Sequence, residues 1–128
     1  VNVDARALVE AAMKVRPGAY APYSGYHVGA AALGASGRVY SGVNVENSSY
    51  GLSVCAERVA ILKAISEGER EIAALAVATE NGATPCGACR QVLYEFGPTA
   101  RVIISEADGT SKEFGLDDLL PGAFALKR

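Results

Sequence analysis

The chain has 128 residues, with 12 Lys and Arg against 14 Asp and Glu, a net charge of −2 and a pI near 5.4. That length suits a single folded unit, 1–128, built on one core, and the acidic balance argues against a nucleic-acid partner. Half of the residues are hydrophobic and 20% are charged, so burial against other copies of the chain is expected, while no apolar run is long enough for a bilayer and no signal-peptide pattern is seen.

Residues 4–15 predict a helix, with Ala7, Leu8, Ala11 and Ala12 at helical spacing and Asp4 as its cap. Pro17-Gly18 ends it, and "YAPYSGY" reads as a rigid aromatic loop. Strands over 26–35 and 38–47 flank a Ser36-Gly37 turn. On the second strand Asn44 and Glu46 share one face, Val43 and Val45 the other. "SSYGLS" is a loop. Residues 55–67 predict a helix whose only charge between Val59 and Ile65 is Lys63. A helix apolar nearly all round is normally buried on all sides, again pointing to subunit packing.

Residues 71–78 form a continuous apolar run of strand length, followed by a loop with Asn81-Gly82 as a turn. A helix over 87–96 stops at Gly97-Pro98. A fourth strand spans 100–105, Asp108-Gly109 turns into a short fifth over 110–114, and "LDDLLPGAF" closes with a helical turn. Helices separating strands in this order predict a three-layer α/β/α domain with a five-stranded sheet of mixed direction.

Three cysteines are an odd number, which argues against a disulfide framework and for a reducing cytoplasm. Cys86 and Cys89 stand three apart at a helix start, so both sulfurs face one side of the first turn, where free N–H groups favour thiolate. Cys55 also begins a helix. Convergence of the two starts would give three thiolates, a set that zinc accepts. Other uses stay open at this level. The pair could be a redox couple or two inert thiols, and Cys55 alone is more often core. The sole histidine, His27, would convert the set into a closed structural Cys₃His site, although a strand histidine is more often exposed or hydrogen-bonded.

Glu57 distinguishes chemistry from scaffolding. Within a helix, residues two apart face nearly opposite ways, so Cys55 and Glu57 can share a site only if Cys55 is the cap. A three-ligand zinc with an open position then activates water beside a carboxylate able to carry its proton. The plainer alternative is a first-turn acid favoured by the helix dipole. Three thiolates on Zn²⁺ sum to −1 and weaken the Lewis acid, so a donor to sulfur is needed. Arg58 suits that part better than Arg90.

"VCAERVA" with "PCGACRQV" resembles the zinc-dependent cytidine deaminases of pyrimidine salvage. "APYSGYHVGAAAL", "GVNVENSSYGL" and "DLLPGAF" resemble that family in the same order, so the likeness covers about residues 20–124. The resemblance implies one Zn²⁺ per subunit on Cys55, Cys86 and Cys89, Glu57 as proton shuttle and Arg58 tuning the thiolates. It implies Asn44 and Glu46 at the sugar hydroxyls and Tyr26 near the base, where the family often has phenylalanine. Ser48, Tyr50 and Phe124 would reach a neighbouring subunit's pocket in a homotetramer. The backbone carbonyl of Ala56 or of a neighbour is a candidate partner of the exocyclic amine. His27 falls at a variable position. The implied reaction is hydrolysis of cytidine and deoxycytidine to the uridines and ammonia. Blasticidin S-type deamination and a structural zinc module are the alternatives, and the acidic pI argues against nucleic-acid editing.

Overall fold

Asp4 Oδ1 accepts a hydrogen bond from Ala7 N at 3.1 Å, which starts α1, Ala5–Val15. Pro17 follows within a 3₁₀ turn, Arg16–Gly18, and prevents the helix from continuing. The computed structural model describes residues 1–126. Beyond α1 the elements are β1 Gly29–Gly34, β2 Val39–Val43, α2 Ala56–Ser66, β3 Ile72–Ala78, α3 Gly87–Phe96, β4 Arg101–Ser105, β5 Ser111–Gly115 and a short α4, Leu116–Leu119. No helix among the described residues is long and apolar enough to cross a membrane.

The sheet runs β2-β1-β3-β4-β5. β3 and β4 are parallel, joined over α3, and the other neighbours are antiparallel. This is the mixed five-stranded sheet expected from the element order. Side chains leave its two faces alternately. Ala31, Leu33, Ala74, Ala76, Ala78 and Ile103 pack against Leu8, Val9 and Ala12 of α1. Ala30, Ala32, Leu75, Val77, Val102 and Ile104 pack against α2 and α3 on the other side. Three layers result.

Small residues set the layer spacing. β1 is almost all alanine and glycine, a poor strand composition by propensity, yet all six residues are buried. Packing overrides propensity because a helix lies close on each face. A Cβ at Gly29 would stand 2.1 Å from Ala12 O in α1, and one at Gly42 would stand 2.7 Å from Ala60 N in α2.

Both hairpin strands are shorter than the sequence pattern suggests. The ladder between them ends at Gly29–Val43. Past that pair the Asn44 side chain intrudes. Its Oδ1 accepts from Val28 N at 2.9 Å and its Nδ2 donates to Tyr26 O at 2.8 Å. One backbone bond, Asn44 N to Val28 O at 3.3 Å, continues past the ladder, and the Asn44 side-chain amide supplies the other bonds to residues 26–28, which run as a loop. Within a single chain α2 is buried on only part of its circumference. Ala56, Glu57, Ala60, Ile61 and Ala64 are buried, whereas Leu62 is 48% exposed. Among the described residues nothing covers the Leu62 side of the helix.

Candidate active site

Cys55 is the N-cap of α2 and Cys86 the N-cap of α3, both in extended backbone conformation. Neither uses its side chain to cap its helix, so each sulfur is free to turn toward the other helix. Cys89, in the first turn of α3, is fully buried. Cys55 and Cys86 Sγ are 3.9 Å apart, Cys86 and Cys89 Sγ 3.4 Å, and all three sulfurs lie within 4.8 Å of one another. Tetrahedral zinc with bonds of about 2.3 Å places sulfurs about 3.8 Å apart, and the separations of 3.9 and 3.4 Å bracket that spacing. The residues therefore fit a single zinc ion. The three thiols are free, with no disulfide among them. This ligand group contains no histidine. His27 instead sets its Nδ1 3.0 Å from Gly25 O, so the closed Cys₃His arrangement is not what the chain builds.

Two helix N-termini aim at this cluster and favour negative charge there. The hydrogen bond with Cys89 draws the Cys55 thiol down to about 5, with burial opposing and Arg58 assisting. The same sulfur contact and burial push the Cys89 thiol up. Arg58 Nη2 stands 3.6 Å from Cys55 Sγ, in the position the charge argument requires, and Arg58 Nε is buried with no hydrogen-bond partner among the described residues. Arg90 does not touch sulfur. Its guanidinium donates to Pro85 O, Leu119 O and Thr84 Oγ1, bracing the loop that delivers Cys86.

In front of the sulfurs lies a cavity of about 380 Å³, lined by Cys55, Cys86 and Glu57 together with Asn44 and Glu46. Because Cys55 is the non-helical cap, Glu57 points into the same space despite lying only two residues on. Glu57 is 6% exposed, and burial pushes its carboxyl up to about 7. A carboxyl of that strength exchanges protons readily near neutral pH. Glu46, 7% exposed, is oriented by neighbours. Ser24 Oγ donates to its Oε2, while Tyr23 N and Ser24 N donate to Oε1 at 3.0 and 3.1 Å. The Ser24 hydroxyl holds the Glu46 carboxyl below the usual range against burial. About one acceptor position is left for a ligand.

The remaining candidates divide. Tyr26 and Tyr50 line the cavity. Tyr50 does so in its own chain, 59% exposed at the mouth, edge-on to Tyr23 with ring centroids 6.5 Å apart. Ser48 lies outside, its Oγ 2.7 Å from the Tyr23 hydroxyl. Phe124 is 67% exposed, and its carbonyl accepts from Gln91 Nε2 at 2.9 Å. Asn44 has spent one donor and one acceptor on the backbone, so one N–H and one lone pair remain for a ligand. For Ala56 a correction is needed. It is the first residue of α2, and helix carbonyls run toward the C-terminus. Its oxygen lies 3.0 Å from where a Gly42 Cβ would be, away from the cavity, and only its N–H faces the space before the helix.

Ser24 and Thr79, both lining the cavity, escaped the sequence reading. Ser24 looked like part of an aromatic loop. Thr79 had a usable signal, as the polar residue closing the apolar run of β3, since ligands in α/β sheets sit beyond the carboxyl ends of parallel strands.

Residues 3–106 match the family profile described as the cytidine and deoxycytidylate deaminase zinc-binding region. A cytidine deaminase of Halalkalibacterium halodurans is 47% identical over 128 residues, which is 98% of this chain and 97% of that protein. One from Mycobacterium tuberculosis is 45% identical over 127 residues, or 98% of this chain and 92% of that one. Among solved structures, the cytidine deaminase of Burkholderia pseudomallei superposes with a TM-score of 0.91 at 47% identity, covering 95% of this chain and all of that one.

Proposed function

Because the chain belongs to the cytidine and deoxycytidylate deaminase family, we propose that it hydrolyses cytidine and deoxycytidine at C4, yielding the corresponding uridine and ammonia. The observation that carries this reading is Glu57, a buried acid facing one cavity with the Cys55 and Cys86 sulfurs. A purely structural zinc module has no use for it. Cys55, Cys86 and Cys89 hold the metal, one ion per chain. Bound zinc supplies Lewis-acid activation of water, whose pKa falls toward about 7.

Glu57 accepts a proton from the attacking water and passes it to ring N3 as the water oxygen bonds to C4. A second proton then moves by way of Glu57 from the new hydroxyl to the amino group, the C4–N bond breaks and ammonia leaves. Arg58 donates to Cys55 Sγ and offsets thiolate charge. The Ala56 N–H donates to an acceptor on the pyrimidine, the only polarity that a helix N-terminus offers. Glu46, held by Ser24 and Tyr23, accepts from a sugar hydroxyl, and Asn44 uses its remaining N–H there. Tyr26 forms a wall beside the base.

The chain works as a cytoplasmic homotetramer in this reading, with residues 1–128 as its single domain. Exposed Leu62, Leu52 and Phe124 supply apolar surface for other copies. Ser48 and Phe124 then lie outside their own cavity because they serve a neighbour's. Three free thiols suit a reducing compartment. Metal analysis paired with an ultraviolet assay on both nucleosides tests the function. One zinc per chain and loss of absorbance are expected, and a zinc-loaded protein inert toward both nucleosides would overturn the reading.

A further inference from the structure

We propose that Asn81 is a positioning residue for the nucleoside pocket, because its side-chain oxygen holds the Tyr26 ring as a fixed wall. The inference rests on the deaminase reading of the cavity. Asn81 Oδ1 lies 2.6 Å from the Tyr26 hydroxyl and 3.3 Å from Thr79 Oγ1. The direction of these bonds follows from Thr79. Its hydroxyl accepts from Gly82 N at 2.8 Å and from Ala83 N at 3.1 Å, which occupies both lone pairs. Its single proton must therefore go to Asn81. That choice turns the amide so that oxygen, not nitrogen, faces both hydroxyls, and Tyr26 is left as the donor.

Tyr26 is held at two more points. Its N–H donates to Ser24 Oγ at 3.0 Å, and its carbonyl accepts from Asn44 Nδ2 at 2.8 Å. Main chain and ring of one residue are thus fixed by separate partners. Ser24 and Asn44 line the cavity beside Glu46, whose carboxylate Ser24 holds, whereas Asn81 stands on the loop that leads from Thr79 to Cys86. The Tyr26–Asn81 bond therefore ties the two walls of the pocket together. A ring already immobilised loses little freedom when a nucleoside binds against it. Asn81 does not line the cavity, so it acts through Tyr26. A phenylalanine at position 26 would supply the same ring without the tie.

Steady-state kinetics of Tyr26→Phe, Asn81→Ala, Asn81→Asp and the double variant Tyr26→Phe/Asn81→Ala test this, each with zinc content and thermal unfolding measured. Tyr26→Phe and Asn81→Ala are each expected to raise KM for cytidine about three- to tenfold, the effect of one hydrogen bond, with kcat within about twofold and zinc unchanged. The double variant should be no worse than the weaker single one, since the same bond is lost only once. Asn81→Asp keeps an oxygen acceptor and should restore KM to within about twofold of the parent. An unchanged KM in Tyr26→Phe, additive losses in the double variant, or Asn81→Asp as poor as Asn81→Ala would overturn the proposal. A parent protein that leaves cytidine intact would refute the deaminase reading instead, so the two failures are distinguishable.

Discussion

Replacing Gly42 with alanine puts one methyl group between β2 and the first turns of α2. The new Cβ would lie 2.7 Å from Ala60 N, 2.9 Å from Val59 Cγ1 and 3.0 Å from Ala56 O. Two of these atoms are helix backbone and cannot rotate aside. Ordinary contact begins at 3.4 Å, so against the 2.7 Å approach the helix must retreat by about 0.7 Å. Ala56, Ala60 and Ile61 are all fully buried, and overpacking such a layer costs about 1–3 kcal/mol. For a chain of this size that lowers Tm by about 4–12 °C. The same turns carry Glu57, with Cys55 at their cap. A displacement of about 1 Å at reacting groups can cost about 100-fold, so a loss of about tenfold in kcat is expected. Calorimetry and the ultraviolet assay at saturating cytidine measure both effects. Gly18→Ala, where an added Cβ meets nothing within 4 Å, serves as the control and should match the parent. Parental Tm and kcat in Gly42→Ala would refute the argument that close approach of α2 demands glycine there.

Glu57→Gln should keep one zinc per chain and lower kcat by about 10²–10⁴-fold, the range for a lost general acid-base. Metal analysis with single-turnover assays decides, and near-parental turnover would remove Glu57 from the chemistry. Glu69 is a buried carboxylate that does not line the cavity and accepts from the Ser36 and Tyr40 hydroxyls. The Ser36 hydroxyl, against burial and with help from Tyr40, holds its carboxyl below the ordinary 4.5. Its stabilisation is thus complete above the unfolded value and lost as pH falls through the lower folded one. Glu69→Gln should melt below the parent at neutral pH, with the gap closing under acid conditions. A gap in Tm that stays constant from pH 7 to about pH 3 would contradict this linkage. Phe124→Ala should raise KM for cytidine or the tetramer dissociation constant by at least about tenfold, the worth of a buried phenylalanine. If kinetics and sedimentation both stay at parental values, Phe124 does not serve a neighbouring chain.

Much of the site was legible because its chemistry is local. Cys86 and Cys89 lie three apart at a helix start, and the demand that Cys55 and Glu57 face one place required Cys55 to be a cap, as it is. Arg58, one turn beyond Cys55, followed from the charge on three thiolates, and it does reach that sulfur. Other features were hidden because they depend on partners distant in sequence. Asn44 reads as a face-mate of Glu46 turned toward a ligand, but nothing near it in sequence shows that its amide also binds the backbone of Tyr26 and Val28. Ser24 is unremarkable until Glu46 arrives from 22 residues away. The Ala56 carbonyl is a candidate ligand contact by sequence, and only the direction of α2 turns it away from the space before the helix.

Periodicity, turn residues and cap chemistry act over a few residues, so the order of helices and strands, the sulfur donors and the acid beside them could be read from the chain itself. Bringing Cys55 within 3.9 Å of Cys86, 31 positions later, depends on β3 crossing the sheet between α2 and α3 and on glycine and alanine letting the helices settle close. Packing of that kind is a property of surfaces meeting in three dimensions, which no window of neighbouring residues contains.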